Sequence, residues 1–476
     1  MNSYNKSFVF FICLVSAMGG LLFGYDWVVI GGAKPFYEVF FGISDDTTQQ
    51  AFAMSAAILG CLLGATTAGM MADRYGRKPL LLISATIFLV SAYATGAFNV
   101  YAGFLAARFI GGIAIGLASA LSPMYIAEVA PTQIRGKLVT LNQMTIVLGI
   151  LAAQIVNMLI AEKVPGDVVA VDSWNAQWGW RWMFWSGAFP AAVFLLLACF
   201  IPESPRWLTR VGRISRADSI FSRIGGKEYA AENIRQIENA EKDDRKKVGL
   251  RMLFSHKYAS ILVLGIIIAV FQQWCGTNVI FNYAQEIFQG AGFPIDGMFL
   301  NIVITGVANV IFTIVAIYTV DRWGRRKLML FGAIGLAAIY IILGTCYYFH
   351  VSGILMVICV VAAIACYAMS LGPITWVLLA ELFPNKIRAA AMGVCTFALW
   401  TGCFTLTYTF PLLNAGLGSY GTFWLYAAIC LAGFVYLSRR LPETKGKSLE
   451  QLEKELVKEE DEDKLSDKAV QRQNRQ

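Results

Sequence analysis

Asp73-Arg74-Tyr75-Gly76-Arg77-Lys78 returns later in the chain as Asp321-Arg322-Trp323-Gly324-Arg325-Arg326. Each copy directly follows an apolar run of about 20 residues, the length at which a helix crosses the ~30 Å hydrocarbon layer of a bilayer. Two more pairs keep the same order. Glu128-Val129-Ala130-Pro131 with Ile134-Arg135 returns as Glu381-Leu382-Phe383-Pro384 with Ile387-Arg388, and Pro202-Glu203-Ser204 returns as Pro442-Glu443-Thr444. The members of each pair lie about 240–253 residues apart. They follow the second and eighth, fourth and tenth, and sixth and twelfth apolar runs. Two six-helix halves in the same orientation are expected, the parallel-repeat plan of transporters that work by alternating access.

Composition agrees. Of 476 residues, 57% are hydrophobic and 15% charged, and the mean hydropathy is +0.59. A water-soluble protein of this length carries more charge and shorter apolar runs. Gly and Ala recur at helical spacing with no period-two alternation, which points to an all-α membrane bundle and excludes a β-barrel. Spans are expected at about 8–31, 51–72, 80–98, 102–127, 138–160 and 182–201, then 258–289, 297–320, 327–347, 352–380, 387–411 and 420–438. The organisation read from this is an N-terminal bundle 1–201, a linker 202–257 with short amphipathic helices, a C-terminal bundle 258–438 and a charged tail 439–476. The first span, with Gly24 and Asp26 and no clear cleavage site, does not read as a cleavable signal.

The net charge of +8 reads as topology, not as affinity for nucleic acid. Lys and Arg cluster in alternate loops, with Lys34, Lys163 and Arg181 as exceptions, so the positive-inside rule puts both termini and the linker in the cytoplasm of a cell (inner) membrane protein. The ten cysteines fall in or beside apolar runs and lack metal-ligand spacing, so they read as small hydrophobes. No HExxH, no Ser/His/Asp set and no ligand cluster suggests an enzyme, a metal or a cofactor.

Two constellations carry chemistry. Span seven holds Gln272-Gln273-Trp274-Cys275-Gly276-Thr277-Asn278, followed by Asn282 and Tyr283. Amides suit the hydroxyls of a polar solute and aromatic faces suit its C–H surface. On a straight helix Gln273 and Asn278 would point about 140° apart; Gly276 and Thr277 suggest local unwinding, tolerated where backbone lines a cavity. Polar residues gluing helices are the alternative. Gln143, Asn309 and Trp376 join the candidates, and Gly372-Pro373 is expected to break span ten before Trp376. The second constellation is Asp26 in span one, within Gly19-Gly20-Leu21-Leu22-Phe23-Gly24-Tyr25-Asp26-Trp27, and Arg108, read as the one basic residue clearly inside a span. Lone charges at that depth are costly, and pairing them offsets both penalties. The pair is either structural or a proton-binding site, with Asp26 exchanging a proton as its surroundings alternate between wet and buried.

Asp73, Glu128, Glu203, Asp321 and Glu381 stand at matched places beside Arg77, Arg135, Arg325 and Arg388. Anchoring explains the arginines but not the carboxylates. Opposite charges that pair when the cytoplasmic side closes would bias a two-state balance by about 1–3 kcal/mol.

The doubled motifs, with Pro202-Glu203-Ser204-Pro205-Arg206-Trp207-Leu208 and Pro442-Glu443-Thr444-Lys445-Gly446, resemble the sugar porter family of the major facilitator superfamily over nearly the whole chain, closest to its bacterial xylose–proton symporter type. The resemblance implies a twelve-helix fold and proton-coupled import of a pentose or hexose, xylose favoured. It implies that Gln143, Gln272, Gln273, Asn278, Asn309, Trp376 and Trp400 hold the sugar with Phe23 lining the cavity, and that the charged motifs form a cytoplasmic gate. Passive uniporters of the family commonly carry a neutral side chain at the Asp26 position. Leu399 and Asn282 stand where that type has glutamine and tyrosine, and Gly187 where it has glutamate. The expected partners are a monosaccharide, a proton and the bilayer, with the protein monomeric. A facilitative uniporter and a transporter-like sugar sensor are the rival readings.

Overall fold

The computed structural model describes residues 4–164, 168–244, 253–384 and 387–445. Every regular element among them is helical. Among the described residues, eleven helical stretches are long and apolar enough to cross a bilayer. The last of these lies in the helix Arg388–Arg440, which leaves the helical region at Gly418 (φ 68°, ψ 169°). Its 53 residues hold spans eleven and twelve, giving twelve in all.

Spans one to five are Lys6–Phe41, Thr47–Tyr75, Arg77–Ala97, Tyr101–Val129 and Arg135–Ile160. Span six starts with a wide turn, Asn175–Gly179, and continues as Trp180–Ser186 and Ala188–Ala198. Spans eight and nine are Ile295–Trp323 and Arg325–Tyr348. Between spans six and seven the chain forms the helices Pro205–Arg210, Ile214–Gly225 and Lys227–Asp244. Residues 245–252 and the tail beyond Lys445 lie outside the described residues. The end of the bundle carrying Lys6 and Arg440 is called inner below, and the opposite end outer.

Local chemistry starts the helices. The Asn5 side chain accepts a hydrogen bond from Phe8 N at 3.1 Å, and Asp46 accepts from Thr48 N and Gln49 N at 3.0 Å each. Those bonds, led by the ones from Gln49, hold the Asp46 carboxyl below its ordinary range and cap span two. Small residues then let backbones touch. A Cβ on Gly24 would sit 1.9 Å from Ile146 O of span five, and one on Gly112 would sit 1.9 Å from Ala57 O of span two. Large apolar side chains point outward, Phe189 76% and Leu159 74% exposed. That inside-out surface suits hydrocarbon, not water.

Two expectations need correction. Span one does not end near residue 31: the helix runs to Phe41 and takes Lys34 inside it, 2% exposed. Arg108 is therefore not the one buried base of the spans. Arg181 also lies within a helix, its guanidinium bonded to Gly96 O at 2.5 Å and Asn99 Oδ1 at 2.7 Å. Both bases are tolerated because acceptors neutralise or solvate them inside the protein.

Candidate functional site

Span seven is broken twice. The helix His256–Trp274 stops at Cys275, Gly276 takes φ 84°, a short piece Thr277–Asn282 follows, and after Tyr283 the chain resumes as Ala284–Gly290. Only glycine adopts that φ without strain, and a Cβ at 276 would stand 2.9 Å from the ring of Tyr426. The break removes the angular separation that a straight helix imposes. The Asn278 amide donates to Gln273 Oε1, Gln273 Nε2 donates to Gln272 Oε1 at 2.7 Å, and Gln272 Nε2 donates to the Tyr367 hydroxyl at 2.6 Å. Three carboxamides and a phenol thus form one hydrogen-bonded string. The donor and acceptor sites left over on these groups match the mixed demands of sugar hydroxyls.

Span ten also breaks, at Ser370 (φ −130°, ψ −93°), between Ile354–Met369 and Leu371–Leu382. The break precedes Gly372-Pro373 because proline fits the first turn of a helix, where its missing N–H is not needed. Trp376 sits one turn further on, 39% exposed. Between the halves, Phe23, Trp27 and Trp400 form an aromatic cluster with ring centroids 5.7–6.2 Å apart. Asn309 is buried and Gln143 half-buried. Neither has a described side-chain hydrogen bond to the other candidates.

Asp26 and Arg108 meet. Arg108 Nη1 lies 2.6 Å from Asp26 Oδ1, with side chains 4% and 12% exposed. The guanidinium also lies over the Phe184 ring at 5.3 Å. Asp26, Trp27, Cys61, Arg108 and Asn282 line one small cavity. Asn282 Oδ1 is buried without a hydrogen-bond partner, so an unsatisfied amide and the ion pair line the same cavity. At Gly187 a Cβ would stand 3.2 Å from both Phe184 O and the Tyr25 ring, and the Tyr25 hydroxyl is engaged by Ser186 Oγ at 2.6 Å.

At the inner end the repeated motifs build the same cluster twice. Arg77 Nη2 pairs with Glu128 Oε1 at 2.8 Å, and Arg325 Nη2 with Glu381 Oε1 at 3.2 Å. Glu203 accepts from Arg77 N and Lys78 N; Glu443 accepts from Arg325 N and Arg326 N, at 2.9 and 3.2 Å in each copy. Ser204 Oγ donates to Glu128 at 2.5 Å and Thr444 Oγ1 to Glu381 at 2.6 Å. Arg135 reaches Ala130 O at 3.4 Å, and Arg388 reaches Phe383 O at 3.1 Å. Asp73 takes Arg77 and Arg210 at 3.3 Å each; the Asp321 side chain lies outside the described residues. None of these pairs joins the two halves; each fastens helix ends of one half to one another or to the segment that follows its last span.

Four residues do not stand out in the sequence as site residues: Glu443, Tyr367, Glu38 and Glu286. Glu443 had a signal, since it is the repeat partner of Glu203. Tyr367 had none, because nothing local marks a span-ten tyrosine as the partner of a span-seven glutamine. Glu38 and Glu286, which flank Lys34, had only the lysine itself as a clue.

The sequence profile described as sugar (and other) transporter matches residues 12–456. The chain is 38% identical over 480 residues to the D-xylose-proton symporter of Escherichia coli strain K12, covering 94% of this chain and 96% of that protein. It is 36% identical over 457 residues to the arabinose-proton symporter of Bacillus subtilis strain 168, covering 96% and 97%. The inward-open structure of the xylose transporter XylE from E. coli superposes with a TM-score of 0.82 at 35% identity, covering 94% of this chain and 99% of that one.

Proposed function

This chain belongs to the sugar transporter family, and from that premise we propose that it is a multi-pass sugar–proton symporter importing a monosaccharide by alternating access. The observation that carries the coupling is the buried Asp26–Arg108 pair opening onto a cavity shared with Asn282. A carboxylate able to leave its arginine and take a proton supplies the ion site. The amide string Gln272, Gln273 and Asn278, with Gln143, Asn309, Trp376, Phe23 and Trp400, supplies the sugar site. Sugar in place favours occlusion, occlusion favours proton transfer to Asp26, and only the doubly loaded carrier changes sides readily. One proton per sugar brings about 2.3 kcal/mol per 100 mV, enough for roughly fifty-fold accumulation.

The doubled clusters around Arg77 and Arg325 serve as the cytoplasmic gate, with Asp321 included on the strength of its repeat position. Both termini and the linker face the cytoplasm, and the two six-helix halves move as units. Xylose is the favoured sugar, supported by the identity to a D-xylose-proton symporter, while Leu399 removes one amide partner expected in that type. The test is uptake by purified protein in liposomes, with and without an imposed proton gradient, against xylose, arabinose, glucose and galactose. Gradient-driven accumulation of one pentose or hexose is expected. Equal equilibration without the gradient would mean a uniporter.

A further inference from the structure

The mechanism above leaves the buried charge of Lys34 unused. Lys34, deep in span one, has its ammonium 2.7 Å from Glu38 Oε1 and 2.5 Å from Glu286 Oε1. Glu38 is one turn along the same helix. Glu286 belongs to the other half, on the outer piece of broken span seven. The two carboxylates are not equivalent. Glu38 alone balances the lysine charge and travels with it whatever the halves do. Glu286 adds a second bond that exists only while the outer end is closed, and its side chain is already 22% exposed against 9% for Glu38. When the halves part, Lys34 keeps its resident counter-charge and Glu286 passes into water. The bond can therefore break without stranding an unpaired ion in the protein, the cost that makes breaking a buried pair strongly destabilising.

The surroundings suit a seal. A Cβ on Gly31 would sit 2.9 Å from Asn282 O and 3.1 Å from Phe281 O, so span one lies directly on the backbone of the other half. Phe36 and Phe299 stack across the same interface at 6.3 Å, and Lys34 lies over the Tyr283 ring at 5.9 Å. Glu286 is only eight residues from Asn278, on a stretch bounded by the Gly276 break. A contact to the sugar amide at one end of that stretch and to Lys34 at the other bears on one small movable piece.

We propose that Lys34 and Glu286 form a latch across the outer mouth, with Glu38 as the lysine's resident counter-ion, and that the latch sets the ratio of outward- to inward-facing molecules. It rests on the alternating-access reading but needs neither sugar nor proton to be tested. The full-length protein in nanodiscs, with Cys199→Ser to remove an exposed thiol, takes spin labels at Asp45→Cys and Ser352→Cys, exposed outer-loop positions on opposite halves. Distances are read by pulsed double resonance. Glu286→Gln leaves the Lys34–Glu38 pair intact, and the long-distance, outward-facing population is expected to rise at least tenfold. Glu38→Gln makes Lys34 depend on Glu286 alone, and the same population is expected to fall. A merely structural role would move both variants the same way. Shifts of the same sign, or an unchanged distribution in Glu286→Gln, would overturn the latch. Absence of sugar uptake in the unlabelled protein would instead count against the transport reading and leave these distances interpretable.

Discussion

Replacing Gly276 by alanine tests whether the break in span seven builds the sugar site. Gly276 holds φ 84°, where an L-residue carries a steric penalty of about 1–2 kcal/mol. The new methyl would also stand 2.9–3.0 Å from Cγ and Cδ2 of Tyr426, a ring 1% exposed and unable to swing aside. Relief requires the backbone to leave the left-handed region, which straightens the helix and turns Asn278 away from Gln273. Strain of this kind is worth about 1–3 kcal/mol, so sugar binding is expected to weaken roughly five- to 150-fold. The assay is calorimetric or tryptophan-quench titration of purified protein with xylose. Gly418→Ala is the control, since Gly418 is equally left-handed at φ 68° but lies at the turn between spans eleven and twelve. It is expected to lower thermal stability while leaving affinity alone. Unchanged affinity in Gly276→Ala, or an equal loss in Gly418→Ala, would refute the reasoning.

Asp26→Asn is expected to abolish uphill uptake, lowering accumulation from roughly fifty-fold at 100 mV to unity, while counterflow of labelled sugar stays measurable; persisting accumulation would remove Asp26 as the proton site. The same variant leaves Arg108 buried with no counter-ion, and a loss of about 3–5 kcal/mol of stability is expected in a thermal melt. Arg77→Ala strips Glu128 and Asp73 of their shared partner. It is expected to favour the cytoplasm-open state by about 1–3 kcal/mol, read as faster labelling of a cysteine engineered into the inner cavity; unchanged labelling would leave the clusters as anchors only.

Most of the architecture was legible because the bilayer imposes a length on every helix and the repeat imposes a symmetry on the halves. The matched clusters at Arg77–Glu128 and Arg325–Glu381 follow from that repeat almost residue for residue. The Asp26–Arg108 contact was legible by a different route: two opposite charges in apolar runs had each other as the obvious remedy. The break at Gly276 was visible as a glycine between polar residues that a straight helix could not align. Lys34 shows where this reasoning ends. A lysine in a sequence marks a loop, because an unpaired ammonium would not stay in a span. The partner that keeps it there, Glu286, lies 252 residues away on the other half. The Gln272–Tyr367 bond escaped for a different reason: it joins two helices of one half, spans seven and ten, that neither the repeat nor local spacing pairs. Periodicity and repeats report which face a residue occupies, whereas a cross-half contact depends on how the two bundles are docked.

The central claim is that a hydrogen ion travels with the sugar. Wild-type protein reconstituted in weakly buffered vesicles, with the potential clamped at zero and no initial pH difference, is given external xylose while external pH is recorded. Alkalinisation stoichiometric with sugar uptake, and its absence in Asp26→Asn, is the predicted result. Xylose uptake with no movement of protons would contradict it.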